Sequence, residues 1–169
     1  MDLTEVNRQI ETRQGELLDL VARLVAFETP APPARNTREA QNFVADFLRP
    51  LGFDIDQWAL YENDDIVVGT KAGDPTCQSL IINGHMDVAA LNPDEKWTFS
   101  PFEAVIHDGR VIGRGVSDMK GGLAAALFAL KILHDQNIVL PGKILFESVI
   151  GEEVGEAGTK STIDHGYTA

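Results

Sequence analysis

The chain has a single cysteine, Cys77, in 169 residues. An internal disulfide is therefore excluded, and a reducing compartment, the cytoplasm, is the expected location. Cys77 follows the turn-like Gly73-Asp74-Pro75-Thr76 with no histidine near it in sequence, so nothing local would stabilise the thiolate that a nucleophile needs. Long hydrophobic runs are also missing: no stretch approaches the roughly 18 apolar residues of a membrane span. The start, Met1-Asp2-Leu3-Thr4-Glu5, is acidic and lacks the basic and apolar regions of a secretory signal. Basic residues are scarce, with 14 Lys and Arg against 26 Asp and Glu. The resulting formal charge of -12 repels nucleic acid and anionic membranes at long range. Internal repeats and low-complexity tracts, which would signal a solenoid or a linker, are absent.

What the chain does have is enough apolar material, 44% of residues, for one domain with a real core, since a chain of this size buries about 70% of its unfolded surface. Ile10, Leu17, Leu18, Leu20, Val21, Leu24 and Val25 predict one amphipathic helix from Val6 to Phe27, stopped by Pro30, Pro32 and Pro33. Ala40, Phe43, Val44, Phe47 and Leu48 predict a second helix that begins after Thr37 and ends near Pro50 and Gly52. Candidate strands for a sheet beneath these helices cover residues 54–60, 66–70, 80–83, 102–106, 110–112 and 143–149. His107-Asp108-Gly109 reads as a hairpin turn between the fourth and fifth of these. A long helix is expected over 121–136, with His134 in its last turn, where a cation suits the helix dipole. Helices followed by strands with an intervening helix indicate an α/β fold with a mixed sheet.

Chemistry-bearing residues gather at the predicted strand ends. His85 and Asp87 follow the branched run Ser79-Leu80-Ile81-Ile82-Asn83, and the carboxyl edge of an open α/β sheet is where ligands bind. Side chains at i and i+2 of a strand share a face, so the Asp87 carboxylate is expected to reach the His85 imidazole and fix its tautomer. Asp118 lies in Gly113-Arg114-Gly115-Val116-Ser117-Asp118-Met119-Lys120-Gly121-Gly122, just before the long helix, where it is either a helix N-cap or a ligand. That glycine-rich stretch matches neither a phosphate-binding loop nor a dinucleotide fingerprint. Glu152 and Glu153, in Gly151-Glu152-Glu153-Val154-Gly155, follow the apolar run Ile144 to Ile150. Adjacent carboxylates at a strand end are costly unless solvated or coordinated. Imidazole and oxygen donors without thiolate suit zinc, manganese or cobalt. Two such ions, ~3.5–4 Å apart, can polarise a carbonyl and activate water, and one glutamate of the pair can bind metal while its neighbour moves the proton.

These motifs resemble the co-catalytic zinc aminoacylases and peptidases that include acetylornithine deacetylase, succinyl-diaminopimelate desuccinylase and the glutamate carboxypeptidases. The resemblance rests on Gly84-His85-Met86-Asp87-Val88, Trp97 through Pro101-Phe102, Asp108-Gly109-Arg110, Gly113-Arg114-Gly115, Ser117 to Gly122 and Gly151 to Gly155, in that order. It implies a three-layer α/β/α fold with a mixed central sheet, two divalent metal ions in the full-length protein with partial or no occupancy in this chain, and a substrate that is an N-acyl amino acid or small peptide, with acetylornithine deacetylase the most similar member. It implies that His85, Asp118 and Glu153 bind metal, with Asp118 bridging, that Asp87 orients His85, and that Glu152 is the general base. A cis peptide between Asp118 and Met119 is implied as well. Relatives carry a further carboxylate and a histidine ligand beyond these motifs, and a lid or dimerisation domain that makes homodimers. Residues 1–169 are thus expected to be the N-terminal portion of an incomplete catalytic domain, inactive in isolation. His165 is expected on the surface of a terminal helix and not as a substitute ligand. The alternatives are a dipeptidase or carboxypeptidase of the same family, or a non-catalytic metal-binding or regulatory module that kept this fold.

Overall fold

The computed structural model describes residues 3–32, 35–155 and 157–168; Met1, Asp2 and Pro33, named above, lie outside them. Two helices, α1 (Leu3–Thr12) and α2 (Gln14–Val25), precede a short strand β1 (Pro30–Ala31) and helix α3 (Arg38–Leu48). The strands β2 (Asp54–Tyr61), β3 (Asp64–Lys71), β4 (Leu80–His85), β5 (Val88–Ala89), β6 (Val105–His107) and β7 (Arg110–Ile112) follow. Helix α4 (Gly121–Asp135), strand β8 (Ile144–Val149) and helix α5 (Ala157–Asp164) complete the order.

Four strands form the main sheet in the order β2-β3-β8-β4. The first two pairs are antiparallel, and β8 runs parallel to β4. The mixed sheet read from the sequence is present. Both faces of β8 are covered, which is why all six of its residues are buried and why its sequence is a nearly continuous apolar run. Alternation assigns the faces. Gly69 and Gly84 lie against Leu48 of α3 and Leu123 of α4, so the helices α2 to α4 cover one face. Their apolar stripes, including Leu24, Val25, Val44, Leu48, Leu123, Leu127 and Ile132, form the main core there. Residues one position away face the other side, where the Thr162 hydroxyl of α5 lies 3.4 Å from Glu147. The result is three layers, α/β/α.

Several elements differ from expectation. The single helix predicted over Val6–Phe27 is broken at Arg13 (φ -113°, ψ 21°). Arg13 turns there because its guanidinium is held by Glu16 at 2.7 Å and by Asp135 of α4 at 2.8 Å, so α1 folds onto α4. The strand expected over 102–106 begins only at Val105, after Ala104 in a left-handed conformation (φ 50°). Its hairpin with β7 is a separate two-stranded ribbon and not part of the main sheet. The parallel pairing of β1 with β5 has no counterpart in the sequence pattern, since two residues carry no period. No described helix is long and apolar enough to cross a membrane.

Candidate active site

Strands β4 and β8 end side by side, with His85 paired to Val149. Because Gly84 faces α4, His85 projects from the opposite face at the carboxyl edge of the sheet. Its side chain is 4% exposed. Beyond β8 the chain turns at Gly151, whose φ of 85° suits glycine, and enters a short 3₁₀ turn over Glu152–Val154. That turn aims the amides of Gly151 and Glu153 at the Asp87 carboxylate, 2.8 and 3.3 Å away. Asp87 is fully buried, and these two N–H groups, both from the segment after β8, satisfy its charge.

The orienting contact to His85 differs from the one read from the sequence. His85 Nδ1 lies 2.8 Å from the backbone carbonyl of Asp87, whereas the carboxylate is 3.7 Å away and engaged elsewhere. The strand stops at His85, so the i, i+2 geometry of an extended chain does not continue to Asp87. A carbonyl only accepts, so Nδ1 carries a proton, and Nε2 is turned toward the carboxylates. Nε2 lies 3.1 Å from Asp118 Oδ1 and 3.6 Å from Glu152 Oε2. His85, Glu152 and Glu153 each offer a ligand atom within 4.8 Å of the others. Carboxylate oxygens gathered around one imidazole nitrogen repel one another unless a proton or a metal cation lies among them. The donor set therefore fits a divalent metal, and the absence of sulfur fits zinc, manganese or cobalt.

Asp118 arrives on the turn over Val116–Lys120 that leads into α4. It does not cap the helix: Lys120 occupies the N-cap and no side chain caps it. The Asp118–Met119 peptide is cis. Asp118 is 75% exposed and Glu152 42% exposed, so the site opens to solvent on the side away from Asp87. Lys120, which sequence reasoning passed over, is fully buried and donates from Nζ to the Phe27 carbonyl at 2.6 Å. Burial pulls its ammonium down to about 7, against the opposing pull of Asp87. A lysine set between glycines and an apolar helix was the available signal. Thr29 was also missed; its hydroxyl donates to the Met86 carbonyl at 2.7 Å and pins the bend between His85 and Asp87.

The remaining candidates lie elsewhere. His165 follows α5, with its ring centroid 4.2 Å from that of Trp58, and His107 sits in the exposed hairpin ribbon. His134 is exposed in the last turn of α4. Cys77 is free and half-buried beside the 73–76 turn.

The chain is 52% identical over 169 residues to N-formyl-4-amino-5-aminomethyl-2-methylpyrimidine deformylase of Halalkalibacterium halodurans, covering 99% of this chain and 40% of the relative. It is 35% identical over 159 residues to a probable succinyl-diaminopimelate desuccinylase of Staphylococcus epidermidis, covering 91% of this chain and 37% of the relative. Its fold superposes on an M20 family metallo-carboxypeptidase from Sulfolobus solfataricus with a TM-score of 0.76 at 26% identity, covering 89% of this chain and 34% of that one. The chain thus spans about 40% of the length of the curated relatives it resembles. The profile of peptidase family M20/M25/M40 matches residues 81–169, the stretch that runs from β4 through all the candidate ligands, and the chain belongs to that family.

Proposed function

We propose that this chain is the N-terminal portion of the catalytic domain of a metal-dependent amidohydrolase that removes a small acyl group from an amine. The observation that carries this reading is the convergence of His85, Asp118, Glu152 and Glu153 at one sheet edge. In it, His85, Asp118 and Glu153 would hold the metal, with Asp118 serving both ions of a pair. Bound divalent ions would supply Lewis acidity toward the acyl carbonyl and the attacking water. Glu152, half-exposed beside His85 Nε2, takes the proton from that water as its oxygen adds to the carbonyl carbon. It then delivers the proton to the nitrogen as the C–N bond breaks, giving a free amine and a carboxylic acid. Asp87 keeps both ligand segments in register through its carbonyl and its carboxylate.

For the acyl group, the 52% identity to a pyrimidine deformylase favours formyl on an aromatic aminomethyl compound, ahead of N-acetylornithine or a succinylated amino acid. The decisive assay offers formyl, acetyl and succinyl amides to the longer polypeptide that carries this chain and follows amine release. The deformylase reading predicts the largest kcat/KM on the formyl amide; equal or greater rates on N-acetylornithine would reassign it. In the same polypeptide Glu152→Gln is expected to lower kcat by at least about a hundredfold, the low end for a lost general base, with metal content unchanged. Loss of metal instead would make Glu152 a ligand. Metal bound in full with no turnover on any amide would favour a non-catalytic binding module.

A further inference from the structure

Two motifs singled out in the sequence have no part in this chemistry: Trp97 through Pro101-Phe102, in the loop after β5, and Gly113-Arg114-Gly115, after β7. In the fold they meet. Arg114 Nη2 donates to both oxygens of Glu95, at 2.8 and 2.6 Å, and the Trp97 indole donates to Glu95 Oε2 at 3.0 Å. The Arg114 guanidinium carbon lies 5.4 Å from the Trp97 ring centroid, and its Nε is shut off from solvent. The Arg114 amide donates to the Pro101 carbonyl at 2.6 Å. These contacts, the Trp97 indole first and Arg114 next, hold the Glu95 carboxyl below its usual range.

The position of this clasp matters because of what lies on either side. The loop bearing Glu95 leaves the strand that follows His85 and Asp87, and Arg114 stands four residues before Asp118. Asp118 is 75% exposed and its carboxylate meets His85. Little around the carboxylate holds it, so its distance from His85 is set by the backbone of 113–120. That backbone is anchored by Lys120 on the Phe27 carbonyl and by Gly115 against Val88, where an added Cβ would lie 2.5 Å from Cγ1. Arg114 supplies the third anchor, at the start of the stretch that leads to Asp118.

We infer that Glu95, Arg114 and Trp97 form a positioning clasp that holds Asp118 at ligating distance from His85 and so sets the affinity for a divalent cation. This rests on the reading of His85 and Asp118 as ligands. A partly exposed ion pair contributes little to folding stability, so the two roles separate experimentally. The test uses the 169-residue chain and Co²⁺, with affinity from calorimetry and ligand geometry from the visible spectrum of the bound ion. Glu95→Gln and Arg114→Gln are expected to weaken Co²⁺ binding at least about tenfold, as loss of an outer-shell partner does, and to shift the visible band. Trp97→Phe keeps a ring under Arg114 and is expected to lose less, and Arg114→Lys to recover part of the loss. The urea midpoint of the metal-free chain should stay at that of the parent. Parental affinity and spectrum in the Glu95 and Arg114 variants would overturn the inference, as would an affinity loss matched by a fall in metal-free stability. Absence of His85-dependent Co²⁺ binding in the unsubstituted chain would instead remove the ligand reading, and the inference with it.

Discussion

Asp87 acts through two different groups, and each joins His85 to another part of the site. Its carbonyl accepts the Nδ1 proton of His85, while its carboxylate accepts the amides of Gly151 and Glu153. Asparagine at this position would keep the carbonyl contact but turn an NH₂ toward one of those N–H groups. Asp87→Asn is therefore expected to destabilise the metal-free chain by about 2 kcal/mol, the scale for hydrogen bonds to a buried charge, measured by urea unfolding; a change near zero would show that solvent reaches the carboxylate. The His-x-Asp spacing located this residue, since both side chains were expected at one strand end. Spacing does not tell which atom of Asp87 meets the imidazole. That depends on the strand ending at His85 and on Thr29 holding the Met86 carbonyl from 57 residues away, a contact with no local signature.

Among the elements, the terminal segment after α5 is tied to the edge strand β2. Tyr167 donates to Asp56 at 2.7 Å and lies parallel to Trp58, whose indole donates to Ser161 of α5. Burial first, then the Asp56 carboxylate, raises the Tyr167 phenol to about 12. A pKa raised in the folded state stabilises the protein fully below the unfolded value, about 10, and that contribution fades as pH climbs toward 12. Stability should thus fall between about pH 10 and 12 in the parent, and less steeply in Tyr167→Phe, as followed by urea midpoints with phenolate absorbance as the titration readout. With Tyr61 replaced by Phe so that only Tyr167 absorbs, a phenolate appearing near pH 10 in the folded chain would show that the contact is not formed. Long apolar stripes made α3 and α4 legible to within a residue or two, and continuous apolarity did the same for β8. The break at Arg13 and the detachment of the β6–β7 ribbon were not legible. The first depends on a charge, Asp135, supplied by α4, and the second on pairing partners that period and composition do not name.

For the molecule as a whole, the sheet order brings together what the sequence holds far apart. His85 and Val149 become neighbours through the parallel pairing of β4 with β8, and α4 crosses between them to deliver Asp118 at the same edge. The mixed sheet and the candidate ligand residues were readable from pattern, because strand ends and helix starts carry the polar residues. Their convergence was an expectation that only the topology could supply. The surrounding negative charge, -12 over the chain, further favours cations near the site. The most direct test of the central claim, that these residues form a metal centre, is equilibrium dialysis of the metal-stripped 169-residue chain against zinc, with elemental analysis of the parent and of His85→Ala. The account predicts zinc retained above background by the parent and markedly less by His85→Ala. Zinc at background level in the parent, or retained equally by both, would contradict it.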